Sequence, residues 1–269
     1  MRSSMVMLIV RGCLEFTAGA LDSADMPGSL VPVTRAEAEK AYDEIWKHRR
    51  KMIPASRCES YTPDNPKRSK YKIFEVNSKF ADIIILELCG RRDLYTDNNI
   101  QSSELDEFIY HEALVHPAMA AVQHFSQSPA RHVFVAGGGE LSIAREALRW
   151  PSLEKVLTVD IDKQIIDTIR EWIPSMNGKA HQDPRSEVRI GDAVAELGAS
   201  ANGTYDVIID DLPDAFEMQA AQSFHSAEFF VMAKSKLRAG GLFVASTGPC
   251  DLQTQLEFNG NEYDNYEGV

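Results

Sequence analysis

Apolar positions in the second half of the chain fall in short continuous runs separated by amphipathic stretches. Such runs, unbroken by polar residues, belong to strands covered on both faces, whereas the stretches between them repeat with the period of a helix. The pattern predicts strand 132–136, helix 141–149, strand 155–159, helix 163–173, strands 187–190 and 205–210, helix 226–237 and strand 241–246. Strands alternating with helices in this way form a parallel, doubly wound α/β sheet.

The first half reads differently. Thr34–Arg50 is predicted as a helix, with Thr34 as N-cap, Glu37 as its capping-box partner, and the basic cluster 47–51 as a favourable C-terminal charge. Polar residues 56–69 form a loop, and the runs at 71–76, 82–88 and 93–101 are short strands, with turns at 89–92 and 97–99. They predict a small antiparallel β module ahead of the parallel sheet. A helix is expected to start at Ser103 as cap and to end or bend at Pro117. The expected organisation is a leader or ornament without assigned role at 1–33, a helix and β module at 34–102, and the doubly wound α/β domain at 103–269.

Composition narrows the function classes. The 269 residues, 44% of them hydrophobic, suffice for a full core, and a formal net charge of −12 argues against nucleic-acid or anionic-membrane partners and is compatible with a cationic substrate. The early apolar run is interrupted by Arg11, too soon for a membrane span. Cys13, Cys58, Cys89 and Cys250 are scattered, so neither a metal site nor a disulfide framework is expected, and a cytoplasmic protein with free thiols is the simplest reading, a transit peptide being the alternative.

The stretch H-V-F-V-A-G-G-G-E-L-S-I-A-R-E-A-L-R-W at 132–150 carries the candidate chemistry. A strand, three glycines and a helix make a nucleotide-binding turn, and Gly137 and Gly139 are expected to keep side chains away from a bound nucleoside. Ser142 replaces the third glycine of the dinucleotide pattern and Glu140 follows the glycines directly. A carboxylate there would repel a pyrophosphate and suits a sulfonium nucleoside with an amine tail, or else it favours the helix dipole. Ligands sit beyond the carboxyl ends of strands in such sheets, and the residues there are all acidic. Asp160 is placed for ribose hydroxyls or a helix cap, and Asp192 for an adenine amine or a turn. Asp211 and Asp214, in Y-D-V-I-I-D-D-L-P-D, are spaced to hold an ammonium group and take its proton; surface capping is the alternative.

These segments together resemble the spermidine synthase family of aminopropyltransferases, over about two thirds of the chain from Tyr71 to Pro249. The segments that carry the resemblance are I-Q-S-S-E-L-D-E-F-I-Y-H-E-A-L-V-H-P, G-G-G-E, V-D-I-D, D-P-R-S-E-V-R-I-G-D-A and D-D-L-P-D. The resemblance implies a Rossmann-like sheet of the class I methyltransferase type preceded by a small antiparallel β module. It implies Asp211 as catalytic base and Asp214 as its amine-binding partner. It also implies Glu140 at the amine end of the donor, Asp160 at the ribose, Asp192 at the adenine, Gln101 ahead of the helix and Tyr110 orienting the acceptor. His111 is read as a packing residue.

The co-substrate so implied is decarboxylated S-adenosylmethionine, with a polyamine as acceptor, no metal or cofactor, and a homodimer as the assembly. The loop D-L-P-D-A-F-E-M-Q-A is most similar to the thermospermine synthase branch, but Met218, Gln219 and Ala220 stand where that branch has Gly-Gly-Pro, and Asn77 stands where a glutamine is usual. Beyond Cys250 the family continues with a helix and closing strands; this chain does not, which is read as a truncation or an open pocket. The rival expectations are a non-catalytic binding relative and an S-adenosylmethionine-dependent methyltransferase.

Overall fold

The structure is a computed structural model that describes residues 6–10, 16–19, 71–88, 90–212 and 226–246. The helix expected at 34–50, the loop at 56–69, the four cysteines, Asp214 and the divergent loop at 218–220 lie outside the described residues. No helix among the described residues is long and apolar enough to cross a membrane.

Two sheets organise the chain. The smaller is antiparallel, built from β3 (Lys72–Asn77), β4 (Asp82–Leu88), β5 (Arg91–Thr96) and β6 (Asn99–Ser103) in that spatial order. Asp97 and Asn98 both take positive φ, which turns β5 tightly into β6. The larger sheet has the order β2-β1-β11-β10-β7-β8-β9. Its strands β7 (His132–Gly137), β8 (Lys155–Asp160), β9 (Ser186–Ile190), β10 (Tyr205–Asp211) and β11 (Leu237–Ser246) all run parallel. The N-terminal apolar run forms β1 (Val6–Val10), parallel to β11, and β2 (Phe16–Gly19) closes that edge antiparallel to β1.

Pleating explains the continuous apolar runs. Along β7, Val133 and Val135 face the core beneath the helices α1 (Glu107–Ser126) and α2 (Ser142–Leu148). Phe134 and Ala136 face the opposite core, under α5 (Ala193–Ala199) and α6 (Ala227–Lys236). Every side chain of the strand is therefore useful to one layer or the other. Two further helices, α3 (Lys163–Trp172) and α4 (Pro174–Asn177), carry the small sheet. Ile83, Ile85 and Leu94 pack on Ile169, Ile173 and Met176, and Phe74 stacks on Trp172 with ring centroids 5.0 Å apart.

Two expectations need correction. Ser103 does not cap a helix; it ends β6 and donates to the buried Asp93 at 2.5 Å, while Asp106 occupies the N-cap position. Pro117 does not end α1, which continues to Ser126. The buried stripe Leu114, Val115, Ala118, Met119 and Val122 spans the proline, and burial of that stripe outweighs the one backbone hydrogen bond that proline removes. Strand β11 also begins at Leu237, where the sequence pattern had the preceding helix end.

Candidate functional site

The carboxyl ends of β7, β8 and β10 open into a cavity of about 530 Å³, whose far wall is the small sheet. Gly137, Glu140, Asp160, Asp192 and Asp211 line it from the large sheet, and Gln101 with Phe80 lines it from the small one. Tyr110 and His111 enter from the start of α1. All the candidate site residues read from the sequence that lie in the described part, Gly139 and Tyr110 included, thus share one cavity. Its size suits a nucleoside with an extended tail.

The glycine turn is required by the protein itself. Gly137 has φ of +78°, and a Cβ there would stand 2.4 Å from the Asp211 carbonyl oxygen; one at Gly139 would stand 2.9 Å from the Asp160 carboxylate. Beside the expected clearance for a nucleoside stands a stricter reason within the protein. Strands β7 and β10 approach so closely at Gly137↔Asp211 that their own backbones exclude one. Leu141 is the N-cap of α2, with φ of +63° and no side-chain cap hydrogen bond.

Asp160 ends β8 and accepts from the Asp162 backbone N–H at 2.8 Å, with the Gly139 backbone N–H as a second donor. Burial pushes its pKa up to about 6, and the neighbouring charges of Glu140 and Asp162 act in the same direction. Asp162 is the side-chain cap of α3, accepting from the Gln164 N–H, and it also accepts from Ser78 Oγ at 2.5 Å, a bond that ties the β3–β4 loop to the Asp160 end of the cavity. Asp192 caps α5 through Oδ1, which accepts from the N–H groups of Val194 and Ala195, while the side chain remains exposed at the cavity rim. Capping and rim placement coexist in that one residue.

At the other end Asp211 accepts from the Tyr110 hydroxyl at 2.8 Å. Burial, and next the charge of Glu140, push the Asp211 pKa up to about 7, while His111 and the Tyr110 hydrogen bond pull it back. Asp210, one residue earlier, points to the other face of β10 and is buried. A carboxylate poised near neutrality, with a hydroxyl to orient it, can accept a proton from an amine.

His111, read as a packing residue, is buried and lines the cavity as well. It lies on the buried stripe of α1, only 3% exposed, and by period alone belongs with Leu114 and Val115. The face of α1 that packs the core at Leu114, Val115 and Ala118 meets the cavity at His111. The one available signal was chemical: a ring nitrogen four residues after Glu107, at helix spacing, and their separation is 2.8 Å.

Fold and cavity together define an α/β protein of the doubly wound type, with a cavity at the strand ends lined by carboxylates and suited to a cationic ligand. The profile of the spermine/spermidine synthase domain matches residues 107–261, more than half of the chain, and the chain belongs to that family. It is 40% identical over 173 residues to a polyamine aminopropyltransferase of Synechococcus sp. (strain JA-3-3Ab), covering 64% of this chain and 55% of the relative. It is 37% identical over 182 residues to a thermospermine synthase of Arabidopsis thaliana, covering 67% and 52%. A spermidine synthase solved in complex with the transition state analogue AdoDATO superposes with a TM-score of 0.57 at 25% identity, covering 62% and 55%. The chain thus spans a little over half the length of these proteins.

Proposed function

We propose that the protein transfers the aminopropyl group of decarboxylated S-adenosylmethionine to a polyamine, putrescine or spermidine, and releases methylthioadenosine. The observation that carries this reading is Asp211, a carboxylate with pKa near 7 hydrogen-bonded to Tyr110 in the same acidic cavity as Asp160 and the glycine turn. Membership of the family, and the relatives named polyamine aminopropyltransferase and spermidine synthase, support it.

In this reading Asp160 accepts from the ribose hydroxyls, Asp192 from the adenine amine, and Glu140 with Gln101 faces the tail of the donor. An acceptor amine has a pKa of about 10 and arrives protonated, so the site must first attract a cation and then remove its proton. Glu140 and Asp211, with Asp214 beyond the described residues, supply the attraction. Asp211 takes the proton, Tyr110 holds the nitrogen in line, and the freed lone pair attacks the carbon next to the sulfonium. The new N–C bond forms as the C–S bond breaks, and the electron pair of that bond leaves with a neutral thioether. Alignment of two bound reactants is the main contribution of such a site. An intact methionine carboxylate would meet Glu140, which disfavours methyl transfer.

The proposed catalytic unit comprises residues 103–269, preceded by the helix and β module at 34–102, of which residues 80–101 supply the far wall. Acceptance of spermidine in the thermospermine manner is the finer proposal, supported by the Arabidopsis relative. A cytoplasmic homodimer, with no metal or cofactor, completes the reading, and native mass measurement tests the assembly. The direct test is calorimetry with decarboxylated and intact S-adenosylmethionine, followed by transfer to putrescine and spermidine. Preference for the intact form, or binding without transfer to either amine, overturns the reading.

A further inference from the structure

Behind the Tyr110 end of the cavity runs a line of charged side chains that the reactants, as placed above, do not touch. Arg145, on α2, donates from its two terminal nitrogens to the two oxygens of Glu107, at 2.9 Å each, and from Nε to Glu146 at 2.8 Å. Glu107 opens α1, and its Oε2 lies 2.8 Å from Nδ1 of His111, one turn along the helix. The side chains of Glu107 and His111 are 10% and 3% exposed. A forked, two-bond pair of this kind fixes a carboxylate in direction as well as place. With Nδ1 committed to Glu107, Nε2 is the ring atom left for the cavity that His111 lines.

The inference rests on the transfer reading above and extends it. We propose that Glu107, clamped by Arg145, is a positioning residue for aminopropyl transfer, holding the proton on Nδ1 of His111 and turning Nε2 toward the amine end of the cavity beside Asp211 and Glu140. The hydrogen bond at one imidazole nitrogen determines what the other can do, so a residue outside the cavity sets the chemistry inside it.

The groups that face His111 are Glu107 on its own helix, Asp211 at the end of β10, Glu140 after the glycine turn, and the Tyr110 ring, edge-on with centroids 5.1 Å apart. Burial alone would lower the pKa of His111, but Glu107, Asp211 and Glu140 together outweigh it and raise the pKa above its ordinary value. The imidazolium in turn offsets the repulsion between Glu140 and Asp211 and holds the Asp211 pKa down. Glu107 therefore acts on the base through His111.

The test compares the parent with Glu107→Gln and Arg145→Lys, reading transfer rate against pH and the affinity for methylthioadenosine. Loss of the Glu107 charge lets His111 shed its proton, so the acidic limb of the rate profile moves up by about one pH unit, with about tenfold less transfer below it. Methylthioadenosine affinity stays unchanged. Arg145→Lys, which cannot form the fork, shifts the limb in the same direction. In a His111→Gln background, Glu107→Gln produces no further shift. An unmoved limb, or the same loss with and without His111, overturns the proposal. If the parent transfers to neither amine, the functional reading falls first. The positioning role is then read from nitrogen-15 resonances of the His111 ring, which must report a protonated Nδ1 in the parent and a changed proton distribution in Glu107→Gln; identical spectra overturn it.

Discussion

Replacement of Asp211 by Asn tests the site most directly, because it preserves size and the oxygen that accepts from Tyr110 while removing the proton acceptor. With a pKa near 7, about a tenth of the parent carries an ionised Asp211 at a pH one unit below that value, half at the value, and about nine tenths one unit above. The parent rate should therefore climb roughly tenfold across those two pH units and then level. The Asn variant loses the climb and, at the plateau, about 100- to 10,000-fold in rate, the range typical of a general base. The assay is release of methylthioadenosine from decarboxylated S-adenosylmethionine and saturating spermidine or putrescine, with donor affinity measured separately. A variant that keeps the same climb would refute the assignment, because the titrating group would then be another, Asp160 with its pKa near 6 being the first suspect. A variant that loses donor affinity in proportion to rate would refute it too, since Asp211 would then be holding the nucleoside.

The same substitution should stabilise the unliganded protein in alkaline solution. The folded pKa of Asp211 lies above its ordinary 3.8, so its favourable contribution is present below pH of about 4 and is lost as pH rises to about 7; the gap amounts to at most about 4 kcal/mol, and thermal melts of Asp211→Asn above neutrality but not near pH 4 should show the gain. Asp160→Ala should weaken methylthioadenosine binding by about 1.5 to 3 kcal/mol with the fold intact, and equal affinity in calorimetry removes Asp160 from the ribose role. Tyr110→Phe should raise the polyamine concentration needed for half-maximal rate and leave donor binding unchanged; a shift in donor affinity instead would place the hydroxyl at the wrong end. Gly137→Ala should destabilise the chain by about 1 to 3 kcal/mol in denaturant titrations, since the added carbon meets the Asp211 carbonyl and the backbone there is left-handed.

Much of this architecture was legible because it depends on periodicity. The runs at 132–136, 155–159 and 205–210 could be read as strands covered on both faces, and the place of the cavity follows from where parallel strands end. What stayed hidden depends on contacts between distant residues. Ser103 reads as a cap by its local sequence, yet Asp93, ten residues away on the neighbouring strand, claims its hydroxyl. Pro117 reads as a stop, yet the sheet beneath α1 holds the helix through it. His111 reads as core by spacing, because periodicity does not record that one face of α1 meets both the core and the cavity. The fork between Arg145 and Glu107 joins residues 38 positions apart and has no local signature.

The close passage of Gly137 against Asp211 has a consequence for how such a site could be re-tailored. The nucleoside turn and the proposed base lie on adjacent strands in register, Val207 beside Val133 through to Asp211 beside Gly137. Main-chain hydrogen bonds, rather than side-chain choice, therefore set the separation of the glycine turn and the proposed base. That side of the cavity is a fixed gauge. The opposite side, with Phe80, Asn99 and Gln101 on the small sheet and its loops, rests on side-chain packing against α3 and α4 and on side-chain hydrogen bonds from Ser78 to Asp162, from Arg92 to the Trp172 carbonyl and from Ser175 to Glu104. In the proposed transfer, acceptors of different length are best accommodated by recutting that wall, since a change in the gauge would shift the proposed base against the glycine turn.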